Sequence, residues 1–183
     1  MQRILMAALF ACTTTAGMAQ STNPQIDYRG FEELTAKVGP YRQSRLVDWK
    51  EFAAVAREHD ALILDARSAD AFAAGHIQGA VNLPFTDFTA ASLASVIGGR
   101  NRPILIYCNN NFRNDEPPVV RKVFQVALNI QTFINLVGYG YENVYELNEV
   151  VDFNDPKIGW VKGPADAQRA AARQQLGVAR ASR

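Results

Sequence analysis

Polar and apolar positions fall along this chain in blocks that predict strands and helices in turn. Two short runs are apolar throughout: Ala61-Leu62-Ile63-Leu64, stopped by Asp65, and Pro103-Ile104-Leu105-Ile106-Tyr107, stopped by Cys108. A run without polar alternation is the pattern of a central strand covered on both faces. Val144 to Leu147 reads as a further strand, Val81 to Pro84 as a short one ended by proline, and Ile158 to Val161 as a last edge strand.

Helical spacing fills the intervals. Asp27 is placed to cap a short helix carrying Phe31, Leu34 and Val38, with Gly39-Pro40 as its stop. Asp48 and Glu51 form a capping-box pattern at the head of a helix that buries Trp49, Phe52 and Val55 and ends near His59-Asp60. Ala69 to Ala74 is helix-forming and is ended by Gly75. Thr89 to Ile97 is closed by Gly98-Gly99, and Val119 to Leu136 is helical in places, ended by Gly138-Tyr139-Gly140-Tyr141. Strands alternating with helices predict an α/β fold: a parallel sheet, helices on both faces, right-handed crossovers.

Size and charge narrow the class. At 183 residues the chain supports one domain with a real core. Lys plus Arg number 19 and Asp plus Glu 18, so the charge balance points to no nucleic-acid partner. The first residues look like an export signal. Arg3 precedes a short apolar run, Ile4 to Cys12, too short to span a bilayer, and no charge occurs from Ile4 through Ile26. Cleavage after Ala19 divides the chain into a signal peptide at 1–19, a linker and short helix at 20–44, a domain at 45–163, and an Arg/Ala-rich tail at 164–183. The location so predicted is periplasmic or secreted. Lipidation at Cys12, within Leu9-Phe10-Ala11-Cys12, is the alternative.

Removal of residues 1–19 leaves Cys108 as the only thiol. In an oxidising compartment a lone thiol is an intermolecular hazard or a working group. Cys108 follows a buried strand and opens the polar loop Asn109-Asn110-Asn111-Phe112-Arg113-Asn114. Backbone amides and a guanidinium there would favour a thiolate nucleophile. A buried inert cysteine is the competing reading. Among the other candidates, His76 is expected to hold a loop by hydrogen bonds, since no second ligand sits at metal spacing. Asp65 and Arg67 are read either as a charged cluster bracing the site or as a plain structural ion pair. Gly75 and Gly79 are expected to allow tight turns, and Asn82 to tie one down through its amide. No metal or other cofactor is expected.

The stretch from Asp65 to Pro84, with Asp65-x-Arg67, the aromatic Phe72, and Gly75-His76-Ile77-x-Gly79-Ala80-x-Asn82-Leu83-Pro84, resembles the rhodanese family. The resemblance runs on through Cys108 and Gly140 to Leu147, covering roughly Arg45 to Gly163. It implies a three-layer fold with a parallel sheet of about five strands. It also implies a sulfurtransferase. Cys108 would attack a small sulfur donor such as thiosulfate, become a persulfide, and pass the sulfur to a thiol or cyanide-like acceptor, or to a protein. Asn109, Asn110, Asn111, Phe112 and Arg113 would form the anion-binding loop around it, and Asp65, Arg67 and His76 would support it. The loop from Cys108 to Arg113 is one residue shorter than that of related phosphatases, which argues against phosphate or arsenate chemistry. The chain departs from the family where Asn111 replaces a usual glycine and Ala71 a usual glutamate. Asn114 to Val126 reads as an insertion after the loop, with the familiar helix starting near Ala127-Leu128-Asn129 and Arg121 and Lys122 as rival anion-binding residues or a solvated face. A non-turnover binding or sensing module, and a thiol forming intermolecular disulfides, are the alternative functions.

Overall fold

The computed structural model describes residues 23–163 apart from His59. The expected export segment with Cys12 and the tail from Pro164 lie outside the described residues. The elements are α1 (Tyr28–Gln43), β1 (Leu46–Val47), α2 (Trp49–Val55), β2 (Leu62–Asp65), α3 (Ala69–Ala74) and β3 (His76–Ile77). They continue with β4 (Val81–Asn82), α4 (Ala90–Ile97), β5 (Ile104–Tyr107), α5 (Leu128–Gly138), β6 (Val144–Leu147) and β7 (Trp160–Val161). Five strands form one sheet in the order β1-β6-β5-β2-β4, with every pairing parallel. This is the three-layer α/β arrangement the sequence predicts.

The two-residue period of a strand divides the core into two layers. Leu62, Leu64, Ile104, Ile106 and Val144 face one side and pack with Val38 of α1, Leu93 and Ile97 of α4, and Phe133 and Leu136 of α5. Ile63, Leu105, Tyr107 and Leu147 face the other side and pack with Phe52 of α2 and Phe72 of α3. β2 and β5 are buried along their whole length. Side chains start the helices: Asp48 accepts from the Glu51 amide at 2.8 Å, the first half of the expected capping box, and Thr89 and Ser92 form a reciprocal box that the sequence reading did not single out.

Four expectations need correction. Helix α1 does not stop at Gly39-Pro40 but continues to Gln43, with Pro40 inside it. Tertiary contacts beyond the proline outweigh the missing hydrogen bond: Tyr41 packs on Phe133 and Arg42 pairs with Glu146. Helix α2 ends at Val55, earlier than expected, and of its three apolar anchors only Phe52 is fully buried. The last strand does not edge the main sheet; β7 pairs antiparallel with β3 in a separate ribbon. Finally, Gly75 is extended, at φ 165°, and makes no left-handed turn. Gly79, at φ 85°, does need glycine.

Gly75 is small for another reason. A Cβ there would lie 2.6 Å from Cε2 and Cζ2 of Trp160. The indole has no easy retreat, because it packs edge-on against Phe112 at 4.9 Å and stacks on Phe153 at 5.3 Å. Gly75→Ala is therefore expected to lower the unfolding free energy by about 1–3 kcal/mol through overpacking. Urea unfolding of the two proteins checks this; an unchanged midpoint would show that the ribbon yields freely.

Candidate active site

Cys108 extends β5 by one residue and keeps the parity of Ile104 and Ile106, so its side chain faces the α5 layer. It is 1 % exposed and is a free thiol. The chain then turns through a 3-10 turn, Asn109–Asn111. The thiol accepts backbone N–H groups from Asn110, Asn111, Leu128 and Asn129. Two of these are the open amides at the start of α5, whose N-cap residue, Ala127, has no side chain to offer them. Sulfur takes that place, at the positive end of an eleven-residue helix.

Asn111 holds this corner together. Its Oδ1 accepts the Cys108 amide at 2.9 Å and the Asn129 Nδ2 at 3.0 Å. Its Nδ2 donates to the Leu147 carbonyl at 2.7 Å and the Glu149 carbonyl at 3.2 Å. The ends of β5 and β6 and the start of α5 thus meet on one buried amide. Asn129 Nδ2 also reaches Glu146 Oε1 at 3.3 Å. Glu146, buried in β6, takes the Arg42 guanidinium on both carboxylate oxygens, with Nη2 to Oε1 at 2.6 Å. Cys108, Asn110, Asn111, Asn129, Glu146, Glu149 and Arg42 all line one cleft of about 260 Å³, with Phe124 and Val150 among its apolar walls.

The structure brings the expected anion-binding loop around the sulfur only in part. Of the five, Asn110 and Asn111 direct their amides at the thiol. The asparagine side chains are engaged elsewhere. Asn109 Nδ2 donates to the Val120 carbonyl, and Asn110 exchanges hydrogen bonds with the backbone of Lys122 in both directions. Phe112 is not an anion ligand: it is fully buried against Tyr107 and Trp160, and its backbone bridges to Val151. Arg113 follows Phe112 out of the cleft. Its amide bonds to the Val151 carbonyl, and its side chain is exposed on the side of Asp152. Pairing of 111–113 with the segment after β6 carries the guanidinium away from the thiol.

Asp65, Arg67 and His76 form a compact group on the opposite face of the sheet, because Asp65 shares the parity of Ile63 and Tyr107. Arg67 Nη2 reaches Asp65 Oδ2 at 2.6 Å and the Gly75 carbonyl at 2.8 Å, and the Tyr107 hydroxyl donates to Asp65 Oδ2 at 2.6 Å. Burial, first of all, lifts the Tyr107 phenol well above its usual range. Asn82 Nδ2 ties the Asp65 and Arg67 carbonyls, both at 2.9 Å. His76 Nδ1 lies 2.7 Å from the Phe72 carbonyl, to which it donates, and its ring stacks on Phe72 at 3.5 Å. This group braces the loop beside the site without lining the thiol's cleft. Of the rival cations, Arg121 pairs with Asp115, and Lys122 lines a neighbouring cleft with Arg67 and Asn109. Among the described residues no group of His, Cys, Asp and Glu is placed to hold a metal ion, and no helix is long and apolar enough to cross a membrane.

Arg42, Asn129 and Glu146 were not anticipated as site residues. Glu146 had a signal: a lone charge in the strand Val144-Tyr145-Glu146-Leu147 demands a buried partner. Arg42 had none, since its helix reads as finished at Pro40.

The family model described as Rhodanese-like domain matches residues 48–149. No curated protein matches the chain. Among solved structures, wild-type EanB is 22% identical, with 55% of this chain and 23% of that chain covered and a TM-score of 0.42. The chain thus spans under a quarter of EanB. The thiosulfate sulfurtransferase of Pseudomonas aeruginosa is 21% identical over 64% of this chain and 20% of its own, with a TM-score of 0.44. A rhodanese with anions from E. coli is 20% identical over 56% of this chain and 99% of its own, with a TM-score of 0.37.

The acidity of Cys108 reflects opposing causes. Burial pushes the thiol up, the amides of Asn129, Asn110 and Leu128 pull it down, and the Glu146 carboxylate pushes it up again; the net direction is up. Arg42 and Glu149 are the other charged groups of the cleft. Alkylation of Cys108 by the neutral reagent iodoacetamide is therefore expected to rise with a midpoint pH above that of an ordinary thiol. In Glu146→Gln, loss of the opposing negative charge is expected to move that midpoint down. A midpoint below the ordinary range, or an upward move in the variant, would contradict this electrostatic balance.

Proposed function

The chain belongs to the rhodanese-like domain family, and from that premise we propose that it is a sulfurtransferase with Cys108 as persulfide carrier. The observation that carries the reading is the convergence of four backbone N–H groups, two from the loop and two from the start of α5, on the Cys108 sulfur. Dipoles fixed in a buried site stabilise developing negative charge at no cost of reorganisation.

In this reading the Cys108 thiolate attacks the outer sulfur of a sulfane donor. A new S–S bond forms, the donor's own S–S bond breaks, and the leaving group departs with the electron pair: sulfite from thiosulfate, a thiolate from an organic persulfide. The acceptor, a thiol or cyanide-like nucleophile or a protein, then attacks the outer sulfur of the persulfide, and the Cys108 thiolate leaves. The backbone amides of Asn110, Asn111, Leu128 and Asn129 supply hydrogen bonds to the anionic sulfur, and the Asn111 side chain holds their frame. The Asp65–Arg67 ion pair, with His76 beside it, braces the adjoining loop from the far side of the sheet. Export rests on the sequence pattern of residues 1–19, with lipidation at Cys12 as the variant form.

A second reading, a binding module without turnover, draws on one observation: burial and Glu146 both oppose the thiolate. One experiment separates the two. The protein is incubated with thiosulfate and, separately, with cysteine persulfide, and its intact mass is measured. A one-sulfur adduct with at least one donor, lost on later addition of a thiol and absent in Cys108→Ala, is expected. No adduct with either donor, or an adduct that persists in Cys108→Ala, would leave the binding module standing.

A further inference from the structure

The charges of the thiol's cleft do not suit an anion. Among the described residues lining it, Arg42 is the one cation, and its Nε–Nη2 edge is spent on both oxygens of Glu146. Glu149 adds a second carboxylate, so two negative groups face one positive and the lining carries one net negative charge. The neighbouring cleft of about 340 Å³ is the reverse: it holds Arg67 and Lys122 and no carboxylate, but Cys108 does not line it.

The second observation is an unpaired acceptor. Asn129 is 5 % exposed and lines the thiol's cleft. Its Nδ2 must face Asn111 Oδ1 at 3.0 Å and Glu146 Oε1 at 3.3 Å, since both are acceptors, and this fixes the orientation of the amide. Its Oδ1 is then left buried without a hydrogen-bond partner among the described residues. A buried carbonyl oxygen without a partner is costly and calls for a donor. Phe124 puts an aromatic ring in the same lining, a surface that cations favour.

We propose that this cleft receives a sulfur donor or acceptor bearing a protonated amine, held beside Cys108 by Asn129 Oδ1 with the Glu146 and Glu149 carboxylates. The proposal rests on the sulfur-transfer reading of Cys108 and names the chemical class of its partner. Asn129 would serve twice, its backbone amide on the sulfur and its side-chain oxygen on the ammonium. The Arg42–Glu146 pair would then be a specificity device. It anchors Glu146 and offsets the one positive charge that would recruit an anionic donor.

The test reads the cleft independently of turnover. Cys108 in the full-length protein is modified with three methanethiosulfonates carrying 2-aminoethyl, 2-(trimethylammonio)ethyl or 2-sulfonatoethyl groups. Rates are followed at Cys108 by peptide mass and divided by each reagent's rate with a small free thiol. The aminoethyl reagent is expected to exceed the sulfonatoethyl reagent by about fivefold to tenfold at low ionic strength. It is also expected to exceed the trimethylammonio reagent, which offers no N–H. Glu149→Gln, an exposed position, is expected to bring the cation-to-anion ratio toward one, and Glu146→Gln combined with it to invert the ratio. An anionic reagent equal to or faster than the aminoethyl one in the native protein would overturn the proposal. Equal rates for the two cations would overturn the role of Asn129. Failure of the sulfur-transfer reading shows separately, as an absent one-sulfur adduct with this charge preference intact.

Discussion

The side chain of Asn111 is the constraint on which this site depends. Four hydrogen bonds from one buried amide bring together the residue after β5, the residues ending β6, and the first turn of α5. Each of those chain ends would otherwise present polar backbone to a dry interior. The amide satisfies both sides of that deficit, which a glycine at this position could not. It is also why the open amides of Leu128 and Asn129 stand over the Cys108 sulfur.

From that tie follows the division of labour between the two faces of the sheet. Parity along β5 sends Cys108 toward α5 and Tyr107 toward α3. One face carries the thiol, its amides and the Arg42–Glu146 pair. The other carries Asp65, Arg67, Tyr107 and His76, a closed ionic cluster that stiffens the loops without entering the cleft. A buried pair such as Asp65–Arg67 gives little net stability relative to apolar residues of similar size. Its orientation of the Gly75 carbonyl and the Tyr107 hydroxyl is what it contributes here. The thiol itself is held in tension: burial and Glu146 favour the neutral form, while the surrounding backbone amides favour the anion. A persulfide is a stronger acid than a thiol, so the same amides act more effectively on the loaded sulfur than on the resting one.

The central strands were legible because they are apolar from end to end, and β5 and β6 fall where the pattern puts them. So were Cys108 at a strand end, the start of α5 near Leu128, and the amide tie of Asn82. The fate of the loop was not. Asn109 to Arg113 reads as a polar ring, but its backbone pairing with Val151 and the engagement of the asparagine side chains exist only in three dimensions. Phe112 illustrates the point, since nothing local says that this aromatic leaves the loop for the core. Arg42 was hidden by a proline that the helix tolerates. Glu146 was visible as a misplaced charge, yet its partner lies 104 positions away in sequence.

Amide hydrogen exchange at Leu128 and Asn129 in Asn111→Ala tests the central role of that asparagine most directly. Protection of these two amides is expected to collapse in the variant, while the β2 amides of Leu62 to Asp65 keep theirs. Unchanged protection at Leu128 and Asn129 would mean that something other than Asn111 holds the helix start against the thiol.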